Sequence, residues 1–165
     1  MKILKSIESA LNKIEGAVLI ILLLAMILMA FGQVVLRNFF SGGIVWGDIL
    51  LRHLVLWIGF LGAALATSGE RHINIDALTR YLPERIKKAV GTLTNIFAAF
   101  VCYLLFRASL TFINFEIANK NTVFGDVPSW WAQIIIQVGF GLLVFHFIVR
   151  ALLDAEKAIQ KGSAA

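Results

Sequence analysis

The 165-residue chain has one cysteine, and only 15% of its residues are charged. Each shortage removes a class of protein. The lone Cys102 lies inside an apolar run and has no partner in the chain, so no disulfide framework is available and the residue reads as an inert small hydrophobe. Sparse charge, with 59% hydrophobic residues and a mean hydropathy of +0.85, lies well outside the composition of a soluble domain. No glycine-rich phosphate loop and no nucleophile motif occurs, and no internal repeat or low-complexity segment stands out. The net charge of +5 is spread over connections and chain ends rather than gathered in a patch, which argues against a nucleic-acid partner.

What is present is apolar sequence in span-length runs. Four stretches emerge, about 16–36, 47–68, 89–114 and 127–149, each near the roughly 20 residues that cross a bilayer as a helix. The expectation is an all-α, integral membrane protein of four helices, a single membrane domain over residues 1–165 in contact with lipid. The run from Gly16 to Leu36 exceeds the roughly 7 to 15 apolar residues of a signal peptide, so it reads as a retained span. Ahead of it, Ile3, Leu4, Ile7, Leu11 and Ile14 recur at helical spacing opposite Lys2, Lys5, Glu8, Asn12 and Lys13. That pattern predicts an amphipathic interfacial helix over residues 1–15, with a frayed tail as the alternative. In the third stretch Arg107 interrupts the apolar run. The helix is expected to continue past it and to carry the charge in its outer third.

Eleven of the fifteen basic residues fall on one side of this topology: Lys2, Lys5, Lys13, Arg71, Arg80, Arg85, Lys87, Lys88, Arg150, Lys157 and Lys161. Arg37, Arg52, Arg107 and Lys120 fall on the other. The positive-inside rule then places both termini in the cytoplasm and puts Trp46, Trp130 and Trp131 near the outer membrane interface. The connection between spans two and three is too polar to cross. Its Glu70, Arg71, His72 and Asp76 either organise a cytoplasmic turn, with Asp76 capping the next helix, or are plain solvated loop residues. Pro83 is placed to open span three.

The second span opens with ionisable side chains. Asp48 and Arg52 are four residues apart, so they share a helical face and can pair. Either they snorkel and pin the helix at the interface, or with His53 they face protein as a polar clasp. Arg107, Glu116 and Asp126 belong to the same expected layer, which would join spans two and three. Trp57 is a further candidate for a structural or partner-facing role, as are Gly59, Gly62 and Ala63, because small residues let helix backbones approach closely in lipid. His53 lies on the outer side, whereas His72 and His146 lie toward the inner side. A shared metal site or a haem held by two histidines is therefore not expected, and each reads as an interface or packing residue. No polar group is expected at the middle of any span, which leaves a poor ion path.

The run from Trp46 to Lys88 resembles the small membrane subunit of tripartite ATP-independent periplasmic (TRAP) transporters. In that family a tryptophan and acids precede span two, followed by an "FLGAA" segment and a polar "HI-x-hydrophobic-D" turn. Here those elements are Trp46 with Asp48, Phe60 to Ala64, and His72, Ile73, Ile75 and Asp76. Chain length, four spans and Arg37 near the end of span one extend the likeness. One departure is Gly47, where family members often carry a second acid. The resemblance implies a multi-pass subunit of the bacterial inner membrane, without enzymatic activity or cofactor, bound to a large multi-span permease that carries the substrate and sodium sites. A periplasmic binding protein would deliver an organic anion, a carboxylate or sulfonate, for secondary active uptake. The small subunit would enlarge the scaffold against which an elevator-like domain moves. Two other classes compete: a membrane anchor of a haem or quinone oxidoreductase, and a small self-assembling exporter.

Overall fold

The computed structural model describes residues 2–40, 42–68 and 84–162. The described residues form four helices: α1 (Lys2–Phe39), α2 (Gly47–Ser68), α3 (Glu84–Asn119) and α4 (Ser129–Gly162). All four are long and apolar enough to cross a membrane. Lipid offers no hydrogen bonds, so each segment must satisfy its own backbone, and the helix does so within one segment. Hydroxyls in the spans follow the same rule: Thr67 donates to the Ala63 carbonyl, Ser68 to Leu65 and Ser109 to Phe106, at 2.7–2.8 Å.

α2 keeps the bounds expected from the sequence, whereas α1, α3 and α4 run beyond theirs. α1 runs unbroken from Lys2 to Phe39, so the amphipathic segment expected ahead of the first span is continuous with that span. Nothing between Glu15 and Gly16 breaks a helix, since no proline or turn sequence intervenes. α3 continues past Arg107 to Asn119. It ends where Lys120 takes a left-handed φ of 50°, the usual backbone stop, and Asn119 Nδ2 donates to the Phe115 carbonyl at 2.8 Å. The connection to α4 is a closed turn: Val123 donates to Val127 at 3.0 Å and Ser129 to Asn121 at 2.8 Å. Gly125, with φ 55°, supplies the left-handed residue that turn needs.

The helices form a row rather than a closed bundle. α1 packs on α2, α2 on α4, and α4 on α3, with no comparable face joining α3 to α1 or α2 among the described residues. Glycines make two of these seams. A Cβ on Gly139 of α4 would stand 2.7–2.8 Å from Phe60 Cγ and Cβ, so Phe60 of α2 sits where any larger residue would collide. Phe60 also meets Phe140 edge-on, with centroids 5.1 Å apart. Trp57 Nε1 donates to the Ala132 carbonyl at 2.8 Å on the same seam. Between α1 and α2, Gly62 faces Leu19 and Gly16 faces Leu65. α3 presents Asn95, Ala99, Ser109, Ile113 and Glu116, all buried, at the three-to-four spacing of one helical face.

A row leaves much surface uncovered. Only 6% of the apolar window of α1 is buried, and even the central α4 reaches 22%. The remaining apolar faces need lipid or another protein against them.

Candidate functional site

Two polar constellations tie this row together, one at each end. The first lies where α1 turns into α2. Gln33 is 4% exposed in an otherwise apolar stretch of α1, and its amide is fully used. Nε2 donates to the Ile44 carbonyl at 2.8 Å, and the Ile44 amide donates to Oε1 at 2.8 Å. Nε2 also reaches Asp48 Oδ1 at 3.4 Å. The connection is thus held to α1 by two bonds to one backbone residue, and the first turn of α2 is drawn in after it. Gly47 is what permits the approach, because a Cβ there would stand 2.9 Å from Gln33 Cδ. The amide of Gln33 occupies the space a second acid after Trp46 would need.

Asp48 is paired, but with Arg37 of α1 rather than Arg52. The helical spacing made Arg52 available. The tertiary fold supplies a better-placed cation, since Gln33 has already brought Asp48 onto the α1 side. Arg52 lies a further 40° or so round the helix from that side; it is exposed and bonded by no described residue. His53 donates from Nδ1 to the Ile49 carbonyl one turn back, at 2.8 Å. The expected clasp of Asp48, Arg52 and His53 is therefore replaced by Gln33, Arg37 and Asp48. Gln33 was detectable as an isolated amide in an apolar span, and the sequence reading passed over it.

The wider polar layer also differs from expectation. Glu116 is buried and accepts from Asn121 Nδ2 at 3.2 Å, within the α3–α4 turn. Asp126 is exposed, and among the described residues α2 and α3 share no packed face. Trp46 stacks on Phe124 at 5.8 Å, joining the α1–α2 connection to the α3–α4 turn. Trp130 and Trp131 lie at this same end, 6.3 Å apart. Next to them a cavity of about 310 Å³, lined by Leu22, Leu54, Trp57, Phe124 and Trp131, has His53 as its one ionisable lining residue. It is an apolar niche.

The second constellation was not foreseen. Glu15 of α1 and His146 of α4, 3% and 0% exposed, meet at 3.1 Å between Oε1 and Nε2. This contact reaches past α2 to join two helices that otherwise barely touch. One turn further along α4, Arg150 donates to the Ser68 carbonyl at the end of α2, one of the carbonyls a helix terminus leaves unsatisfied. So α1, α2 and α4 are all fastened at this end. The sequence around Glu15 carries one signal, an acid at the mouth of an apolar run. Pairing it with a histidine 131 positions away required the fold.

Of the small residues singled out, Gly62 packs against α1, whereas Gly59 and Ala63 are exposed and a Cβ on Gly59 would meet nothing within 4 Å. Arg107 is exposed on α3. Glu70, Arg71, His72 and Asp76 lie outside the described residues. Among the described residues, no three His, Cys, Asp or Glu side chains gather as a metal site would require.

The architecture is that of a multi-span membrane protein whose polar residues serve as helix ties. Residues 26–157 match the family described as "Tripartite ATP-independent periplasmic transporters, DctQ component", and the chain belongs to that family of small transporter permease subunits. Among its relatives, a putative TRAP transporter small permease protein of Haemophilus influenzae is 27% identical over 163 residues, covering 96% of this chain and 98% of that protein. The sialic acid TRAP transporter permease protein SiaT of the same species is 29% identical over 147 residues, covering 84% of this chain but only 22% of SiaT. The C4-dicarboxylate TRAP transporter small permease protein DctQ of Pseudomonas aeruginosa is 22% identical, covering 89% of this chain and 86% of that protein.

Proposed function

We propose that this chain is the non-catalytic small membrane subunit of a TRAP secondary transporter, a scaffold for a large permease that drives uptake of an organic anion with an ion gradient. In this reading a periplasmic binding protein supplies the carboxylate or sulfonate, and sodium is the coupling ion. The chain sits in the bacterial inner membrane with both termini cytoplasmic, so the Gln33–Arg37–Asp48 joint lies at the periplasmic side.

The observation that carries this reading is the open row. Among the described residues the four helices cover each other too little to enclose a substrate path, yet α1, α2 and α4 are tied by buried polar contacts. That suits a rigid wall awaiting a partner. The SiaT relationship supports it, because there a segment like this chain accounts for 22% of a longer permease protein. Scaffolding also asks for no catalytic group, only fixed helix positions and apolar faces.

The test is a gentle-detergent purification of the tagged chain from its native membrane, with mass spectrometry of what accompanies it. Recovery of a large multi-span permease is the expected result. A chain that emerges alone, from membranes in which such a permease is detectable, would overturn the reading.

A further inference from the structure

We infer that the face of α3 bearing Arg107 is the seam that seats a transmembrane helix of the large permease, with an acidic side chain of that helix meeting the guanidinium inside the membrane. This rests on the subunit reading above. The starting point is depth. Arg107 is twelve residues from one end and seventeen from the other of the span Val90–Asn119. Its neighbour Phe106 lies against Gly141 of α4, where a Cβ would stand 3.5 Å from the ring. Gly141 is twelve residues, about 18 Å, beyond Ser129 at the tied end of α4. In a hydrocarbon core about 30 Å thick, Arg107 is near the middle, deeper than the outer third in which the sequence alone placed it.

Direction is the second point. Arg107 is two residues, about 200°, round the helix from Ser109, which is buried on the α4 side. It therefore points away from the one helix α3 packs against. Leu93, Phe97, Phe100 and Leu104 share that side and are exposed, with Thr111 and Asn114 beyond them, giving a mostly apolar strip with one charge near its centre. No described residue bonds the Arg107 side chain. α3 also ends the row, so no other described helix covers the strip.

An arginine at the bilayer centre is costly by every scale, and intramembrane charges accordingly face protein and pair. Snorkelling would have to carry the head about 12 Å to the nearer edge. A carboxylate on a partner helix removes the cost directly, since the guanidinium fork matches it with two parallel bonds. The flanking aromatic and aliphatic residues supply the packing surface. Lipid alone satisfies the strip but strands the charge.

The experiment uses the chain co-expressed with its large permease. A photoreactive residue is placed at Leu104 on the strip and, for reference, at Leu28 on the exposed face of α1. The seam predicts a crosslink to the permease from Leu104. Arg107→Ala should lower the co-purified permease at least about tenfold, and Arg107→Lys should recover part of it. The melting temperature of the chain purified alone should not fall in Arg107→Ala, because the side chain is exposed and no described residue bonds it. If Leu104 labels only lipid while Leu28 captures the permease, the seam is misassigned and the subunit reading stands. A crosslink from Leu104 with full recovery in Arg107→Ala overturns the acidic contact. If the permease neither crosslinks from either site nor co-purifies with the unsubstituted chain, the subunit reading falls and the seam with it.

Discussion

Asp48, in the first turn of α2, is paired with Arg37, in the last turn of α1. The pair closes a joint whose centre is Gln33. Arg37 and Asp48 keep side-chain exposures of 57% and 46%, so water and headgroups screen them. A pair this exposed is worth about 0–1 kcal/mol. Gln33 is different, because its loss leaves the Ile44 amide without its acceptor in a part-buried setting, at about 1–3 kcal/mol, while the Ile44 carbonyl keeps the Gly47 amide.

The first prediction follows from that ordering. Gln33→Leu should destabilise the purified chain more than Arg37→Ala or Asp48→Ala. A double-mutant cycle should find coupling between Arg37 and Asp48 and additivity between Asp48 and Arg52. Thermal unfolding in detergent reads all of these. Coupling of Asp48 to Arg52 instead would mean that the intrahelical pair forms.

Gly47 provides the second. Gly47→Ala forces a methyl group into Gln33 Cδ and Nε2, and overpacking of this kind costs about 1–3 kcal/mol. Combining it with Gln33→Ala should cost less than the two changes summed, since the shortened side chain makes room. Strict additivity would show that the two residues do not collide.

How much of this was legible follows from what each signal depends on. That the chain is four membrane helices can be read from run length, because lipid demands about 20 apolar residues whatever surrounds them. Neighbours cannot be read the same way. In a soluble helix the apolar stripe marks the buried face, but here both faces of α1 and α3 are apolar, and periodicity does not separate packed positions from lipid-facing ones. Gly59 and Ala63 illustrate this: the spacing suggested a packing motif, while Gly62 and Gly139 make the actual seams. Asp48 had two cations within reach, and only the turn built on Gln33 decides between them. Glu15 and His146 share no local pattern at all.

The third prediction concerns that buried pair. Glu15→Ala or His146→Ala leaves one buried polar group stranded and should cost at least about 1–3 kcal/mol. Replacing both, with Glu15→Met and His146→Leu, should cost much less, because nothing polar then remains to be satisfied. Unfolding of the three variants tests this. Equal losses in all three would mean that the pair itself, rather than the stranded partner, sets the stability.

The last prediction separates folding of the chain from its proposed partnership. Gly139→Ala pushes a Cβ into Phe60, so it should destabilise the isolated chain by about 1–3 kcal/mol and be relieved by Phe60→Ala. Gly59→Ala has open space around it and should leave the isolated chain unchanged, or raise its stability slightly through helix propensity. Both glycines lie on membrane helices and look alike in sequence, yet one is needed by the α2–α4 seam and the other is on a face this chain does not cover. Uptake measured beside stability then distinguishes their roles. A loss in Gly139→Ala should track the fraction of folded chain. A loss in Gly59→Ala, with the chain fully folded, would place the large permease against the open side of α2 as well as along α3, while normal uptake would leave that side to lipid.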